Sequence, residues 1–572
     1  MTAGGLSLRR SAPARAKAAG WRGLLGLLAL CLAVYLPGFF AMPPVDRDES
    51  RFAQASRQMV ESGDYVVPRV RDVPRLNKPP MIYWLQSLAA QLCTFGDISA
   101  DAIWMYRVPS LLGAIATVLL TWRMGCSMFD PRAAWLGAAL YAICPVVAWE
   151  ARQARADMVL SAFTIAAIWL LWEVIRRPTW GRVTALWIAI GFGVLVKGPV
   201  APMILGLGLL AWCVIRRSGR DVFRTRPWLG VLIVAAIVGP WAVLLAQQVG
   251  WRPYLEIIQR ETIGRSLEPA EGHSGFPGFH VLAALILMFP ASLWVGGGIW
   301  RAVSLGIRGG GGGGFWNRMR AVRVGRPAEC FLLCIALPAW IVFEAISTRL
   351  PHYTMPLYPA VALLAARAAL TDTPRFRDRL RGVGIACGVR AWVVCGLVLA
   401  AAAAFLGWLA ADQGLVWGWA VLAIAAAAAL QFAIEGSAII TQRDYRLLLE
   451  RAIRVGIVCL VLIGLTLPRV DRVWVVSRLA LAAEVVDPRD SRPVAFVMLH
   501  EDSSVFLTRG RAAWIDERNL SEYVASNPDA LVVLPAAMAE QVGNFRVLAA
   551  VRGVNYSKGE WGEWRLGEFT HE

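Results

Sequence analysis

Three carboxylates stand just past the first long apolar run of this chain. The run is LLGLLALCLAVYLPGFFAM, and the segment VDRDES that follows it, Val45–Ser50, carries Asp46, Asp48 and Glu49. A carboxylate can take a proton from a hydroxyl, orient a polar substrate group, or cap a helix. Asp48 opens an amphipathic stretch with Phe52, Ala55, Ser56 and Met59 on one side, and Gly63 suits its C-terminal stop. On that reading alone Asp48 is an N-cap and Glu49 complements the first turn of the helix.

The second feature is Lys78, in NKPPMIYWLQS. Of 58 basic residues only Lys17, Lys78, Lys197 and Lys558 are lysine. Two prolines stop any helix before Lys78 and start the next at Pro79 or Pro80. Met81, Ile82, Tyr83, Trp84 and Leu85 then make an aromatic, apolar surface suited to a membrane interface. A lysine there either snorkels to the headgroups or holds a phosphate.

More charges stand at the ends of apolar segments. They are Arg152, Arg155 and Asp157 in EARQARADMVL, Lys197 in LVKGP, Arg260, Glu261 and Arg265 in IIQRETIGRSLEP, and Arg349 and His352, beside Tyr353, in STRLPHYTMPLYP. Each alone is a common interfacial anchor, but ionisable groups at membrane depth are costly and mark function. Together they suit an anionic, lipid-linked substrate: cations for phosphate, carboxylates for hydroxyl or amine, aromatics and lipid for the tail.

The elements that position these residues are membrane helices. Of the 572 residues 57% are hydrophobic, and many segments reach the length of about 20 residues that crosses a bilayer. The net charge of +18 comes mostly from arginines in short loops, so topology rather than nucleic acid explains it. Arg9, Arg10, Arg15, Lys17 and Arg22 place the N-terminus in the cytoplasm, on an uncleaved first span near 23–41. Further spans fall near 105–122, 133–149, 158–175, 183–197, 199–215, 228–248, 278–299, 329–346, 354–370, 391–411, 415–435 and 453–468. This count of about thirteen puts every dense arginine cluster on one side.

The expected fold is therefore a polytopic α-helical membrane protein, residues 1–468, with a first outer loop at 42–104. Residues 469–572 form a small α/β domain outside the membrane. VAFVML and ALVVLP read as buried strands, SEYVASNPD and PAAMAEQVGNF as helix and loop between them. The glycines of Gly309–Gly314 read as a flexible linker on the inside. The ten cysteines show no metal-ligand spacing, and all but Cys93 read as small buried hydrophobes.

The segments DESRFAQASRQMVESGDYVVPRV and NKPPMIYWL, then ARADM, VLVKGPVAP, RETIGR and STRLPHYTMPLYPAVALL, occur in the order found in a known family. Over roughly residues 20–370 the chain resembles the GT-C glycosyltransferases of the aminoarabinose–lipid A transferase and protein O-mannosyltransferase type. That resemblance implies a polyprenyl-phosphate sugar donor and inversion at the anomeric carbon. It implies catalytic roles for Asp48, Glu49 and Asp157, and lipid-phosphate binding by Lys78, Arg265 and Arg51. Lys197, Arg349, His352, Tyr353 and Tyr83 are expected around the substrate cavity. Asp46 matches no family position and is expected in solvent. The sequence departs from the aminoarabinose branch at Asn77 (usually glutamate), Phe52 (tyrosine) and Arg349 (lysine), and the Asn77 change removes a metal ligand.

The resemblance thus implies an inverting transferase of a bacterial inner membrane, moving aminoarabinose from undecaprenyl phosphate to lipid A as first reading. A hexose moved to protein or another envelope glycan is the second, and a lipid or sugar transporter the alternative outside enzymes. No nucleic-acid partner and a monomeric state are expected. A divalent metal is left open: Asp48, Glu49, His273, His280 and His352 are hard or borderline ligands without tight spacing.

Overall fold

A computed structural model describes residues 20–259, 275–307, 325–372 and 383–570. Arg265, His273 and Gly309–Gly314 lie outside the described residues. The first helices are α1 (Trp21–Tyr35), α2 (Asp48–Ser62), α3 (Met81–Cys93), α4 (Ile103–Met128), α5 (Pro131–Ala142), α6 (Pro145–Glu150), α7 (Asp157–Arg176), α8 (Trp180–Lys197) and α9 (Val200–Arg216). Strands β1 (Arg69–Val70) and β2 (Val73–Pro74) pair antiparallel between α2 and α3.

Among the described residues seven helices are long and apolar enough to cross a membrane, or eight counting the pair Phe279–Leu287 and Ser292–Val303, bent by 119°. Apolar runs and continuous helices differ because proline interrupts the backbone ladder. The run 133–149 divides into α5 and α6, with Pro145 starting the second piece. The run 278–299 bends where Pro290 falls between two helices. Helix α1 closes after 15 residues, just before Leu36 and Pro37.

The helices pack by close backbone approach as well as by apolar side chains. A methyl group added to Gly113 of α4 would meet the Met158 backbone of α7 at 2.8 Å. One apolar cluster joins α1, α4, α5 and α6 to Tyr358–Ala369 and the helices beyond residue 383. A second joins α7, α8 and α9 to Pro327–Ala345.

The C-terminal region adds a five-stranded sheet in the order β4-β3-β5-β7-β6. Strands β3 (Val494–Val497), β4 (Ala512–Ile515) and β5 (Leu531–Pro535) are parallel, and β6 (Phe545–Asn555) and β7 (Glu560–Phe569) form an antiparallel hairpin on the β5 edge. The predicted strands VAFVML and ALVVLP are β3 and β5, each buried throughout its apolar core. Short helices at Asp502–Leu507, Leu520–Ser526 and Ala536–Gln541 link the strands.

This region packs on the segment that follows α1. The Ser503 amide donates to Asp46 at 2.9 Å, and the Asp46 amide donates to the Tyr556 hydroxyl at 2.8 Å. Arg57 of α2 donates to the Phe506 carbonyl at 2.7 Å and lies 3.9 Å from the centre of its ring. The expectation that Asp46 is solvated is corrected here: it is 9% exposed, and the C-terminal region covers it. Burial raises its carboxyl pKa to about 6, outweighing the Ser503 hydrogen bond, with Glu501 adding to the rise.

A buried pair fixes the loop from beneath. Glu49 is 1% exposed and Arg107 of α4 is 0% exposed, and they meet at 2.8 Å. Arg107 also donates to the carbonyls of Phe39, Met42 and Pro43. Glu49 accepts from the amides of Val45 and Ala154, both at 2.7 Å. Every oxygen of this carboxylate is used, as a charge out of water requires.

Two outcomes follow. Arg107→Met, which leaves the Glu49 charge buried without its partner, should lower stability by about 3–5 kcal/mol; adding Glu49→Gln should recover part of it. Denaturant unfolding of the purified protein in detergent measures both, and no loss in the single variant would contradict the burial argument. For Asp46, the folded pKa lies above the unfolded one, so the folded state binds the extra proton. Its contribution to stability therefore grows as pH falls from about 6 toward 4 and fades above 6. Asp46→Asn, which keeps the acceptor for Ser503, should raise the melting temperature at pH 7.5 and flatten its change across that window. An unchanged pH profile would count against the assignment.

Candidate functional site

Asp48 is the first residue of α2, but it does not cap the helix. The N-cap is Arg47, at φ 63°, with no side-chain cap. Gly63, at φ 72°, ends α2 as the sequence suggests. The Asp48 carboxylate turns to Arg75 and Arg155, each at 3.4 Å. Its side chain is 46% exposed and lines a recess. Burial alone would raise its pKa; Arg155, Arg75 and Lys78 outweigh that and hold it below the usual carboxylate value. Asp48 is therefore ionised at neutral pH.

The recess is a cavity of about 290 Å³. Its walls bring together Asp48, Glu49, Arg51, Asn77, Lys78, Arg155, Asp157, Lys197, His352 and Tyr353, from five stretches of chain. Helix geometry explains the convergence. Asp157 is the first residue of α7 and Lys197 the last of α8, so two neighbouring antiparallel helices place them at the same end. Each charge suits its helix terminus. They meet at 2.6 Å, and Lys197 lies 5.5 Å from the Tyr353 ring centre. His352 Nε2 stands 3.2 Å from Arg155 and 3.9 Å from Asp157. Burial and then Arg155 push its pKa down to about 3, which leaves the ring neutral.

The remaining expected residues are elsewhere or already engaged. Arg51 is on the wall but ion-paired with Asp502 of the C-terminal region at 2.8 Å. Tyr83 is buried behind it, its ring 5.3 Å from that of Phe52. Arg349 donates to the carbonyls of Gly275 and Ile346 and is not among the cavity's walls. Glu49 touches the cavity, yet its oxygens serve the Arg107 pair and the backbone.

Sequence reading missed three contributors. Arg75 bonds Asp48 and lies 5.1 Å from the Phe52 ring; its place in VPRLNKPP, close to Lys78, was the available signal. Glu150, in EARQARADM, binds Arg155 at 2.8 Å. Arg107 sits in the second turn of α4, and nothing local announces its distant partner. Among the described residues no group of three or more His, Cys, Asp or Glu side chains is arranged to hold a metal ion.

Known proteins share both the sequence and the fold. Residues 77–244 match the family model of dolichyl-phosphate-mannose-protein mannosyltransferases. A protein of Edwardsiella ictaluri named undecaprenyl phosphate-alpha-4-amino-4-deoxy-L-arabinose arabinosyl transferase is 28% identical over 357 residues, 61% of this chain and 59% of that one. Its namesake in Pseudomonas savastanoi pv. phaseolicola is 29% identical over 385 residues, 64% of each. These alignments span about six-tenths of the curated relatives' length. The crystal structure of ArnT from Cupriavidus metallidurans bound to undecaprenyl phosphate superposes with a TM-score of 0.69 at 18% identity, covering 95% of this chain and 97% of that one. This chain is a multi-pass helical membrane protein that resembles GT-C glycosyltransferases of the aminoarabinose transferase type in sequence and in fold, and protein mannosyltransferases in sequence over residues 77–244.

Proposed function

We propose that the protein transfers a sugar from a polyprenyl phosphate carrier to an envelope acceptor at the outer face of the bacterial inner membrane. The observation that carries this reading is the cavity itself, where an ionised Asp48 and the cation Lys78 share one recess at the end of the helix array. The relatives' printed names point to undecaprenyl phosphate as carrier and 4-amino-4-deoxy-L-arabinose as sugar. Lipid A is the acceptor that fits this reading best; a hexose moved to protein is second, since the matching family model is of mannosyltransferases. With about thirteen spans and the N-terminus in the cytoplasm, residues 469–572 form a periplasmic α/β domain over the first outer loop, and the chain works as a monomer.

The reaction is an in-line displacement at the sugar's C1. The C1–O bond to the carrier phosphate breaks as the bond to the acceptor oxygen forms, and the electron pair leaves on the phosphate. Lys78 stabilises that growing charge in a preorganised site, and the family resemblance assigns Arg51 and Arg265 to the same role. Asp48 accepts the proton of a hydroxyl acceptor, an effect of roughly 10²–10⁴-fold. With a phosphate acceptor, already anionic, Asp48 instead orients the sugar. Asp157, neutralised by Lys197, and neutral His352 shape the floor. The reaction needs no metal in this scheme, and one bound at Asp48 would add charge stabilisation.

Asp48→Asn should abolish transfer to a hydroxyl acceptor in proteoliposomes supplied with the carrier-linked sugar; a near wild-type rate would refute its role as base. Lys78→Ala should raise the donor KM by about tenfold or more, as loss of a charge-assisted contact implies, and an unchanged KM would remove the lysine from phosphate binding. Mass spectrometry of lipid A from cells with and without the protein tests the acceptor, and identical spectra would leave the second reading.

A further inference from the structure

One wall group of the recess has no chemical part in the reaction above. His352 lines the cavity, is 9% exposed, and comes from the segment between Ala345 and Met355. Its Nε2 stands 3.2 Å from Arg155 Nη2. A guanidinium has donors only, so Nε2 must offer its lone pair. A neutral imidazole then carries its one proton on Nδ1. Asp157 does not compete for Nε2. It is 3.9 Å away, too far to bond, and the same oxygen takes Lys197 at 2.6 Å. Burial and then Arg155 hold the ring neutral. The Tyr353 ring meets the imidazole edge to face, with 5.5 Å between centres. Nδ1 makes no hydrogen bond among the described residues, and it is not one of the sealed polar atoms that lack one.

We infer that His352 is a substrate-contacting residue whose Nδ1–H donates a hydrogen bond to an oxygen of the carrier-linked sugar in the recess. The inference rests on the reading above, in which the recess receives that donor. The physical argument is an open hydrogen-bond donor, fixed in direction, on the wall of a polar cavity. Arg155 holds one nitrogen as acceptor and so commits the other to donate. The cations Lys78, Arg155 and Lys197 on the same walls are matched to negative charge. A neutral N–H also serves an uncharged oxygen, such as a sugar hydroxyl, and an oxygen of the carrier phosphate accepts from it equally.

The test separates the two ring nitrogens. Asparagine places an amide N–H as far from Cβ as Nδ1; glutamine places its amide where Nε2 stands. His352→Asn therefore keeps the donor and loses the Arg155 contact, and His352→Gln does the reverse. The full-length protein is assayed in proteoliposomes with undecaprenyl-phosphate-linked sugar and acceptor. The donor kcat/KM should fall about tenfold in the glutamine variant and less than about threefold in the asparagine variant. Inhibition by undecaprenyl phosphate alone locates the oxygen: a Ki raised with the glutamine change puts it on the phosphate, an unchanged Ki on the sugar. Nitrogen NMR of the histidine-labelled protein reads the tautomer directly. The chain has five histidines, and the signal lost in the asparagine variant assigns His352. Protonation at Nδ1 is expected, and protonation at Nε2 overturns the inference. Melting in detergent identifies a variant that does not fold. His352→Phe, which keeps a ring beside Tyr353, then decides, and wild-type kcat/KM in it overturns the inference. A wild-type protein that moves no sugar from the carrier overturns the reading beneath. One that does, beside asparagine and glutamine variants of equal kcat/KM, defeats the His352 inference alone.

Discussion

The ion pair between Glu49 and Arg107 is the constraint on which the site depends. Arg107 sits inside α4 with every hydrogen-bonding arm committed, to Glu49 and to three carbonyls of the chain leaving α1. Glu49 answers with bonds to Val45 and Ala154. One buried contact thus ties the end of α1, the start of α2, the middle of the helix array and the approach to α7. Asp48 is the next residue along from Glu49, so its direction is inherited from that tie. The pair contributes little net stability in itself, since desolvation offsets much of the attraction. What it contributes is position, because any other arrangement would leave a charge alone in an apolar interior.

Charge sharing then sets the character of the cavity. Asp157 is matched by Lys197 at close range, and Arg155 is divided between Glu150 and Asp48. Asp48 has the longer contacts among these carboxylates, at 3.4 Å to both Arg75 and Arg155. A carboxylate that is ionised yet weakly bonded keeps lone pairs for a polar group that enters the recess. The polar groups are preorganised by helix ends, which fix Asp157 and Lys197 without needing a loop to fold around the ligand.

Much of this was legible in the sequence, for physical reasons. Asp48, Lys78, Asp157 and Lys197 announce themselves because an ionisable residue beside an apolar run has few structural excuses. The strands β3 and β5 were legible as short continuous apolar runs. The partners were harder. Arg107 and Glu150 lie within helical segments, where a charge is read as an interfacial anchor until its distant neighbour is known. Asp46 looked solvated because nothing in VDRDES reveals that residues some 450 positions later will cover it. The β6–β7 hairpin escaped too, since its strands alternate with exposed charges and carry no continuous apolar signal.

The covering of Asp46 and Arg51 by Ser503, Asp502 and Tyr556 has one more consequence. The mouth of the cavity is sewn from the two far ends of the chain. During synthesis the helices can enter the bilayer in order, and the floor at Asp157 and Lys197 can assemble from local hairpins. The covered side cannot close until the segments carrying Asp502, Ser503 and Tyr556 have been made. A chain stopped short of β6 would hold an assembled helix array with this side of the recess left uncovered.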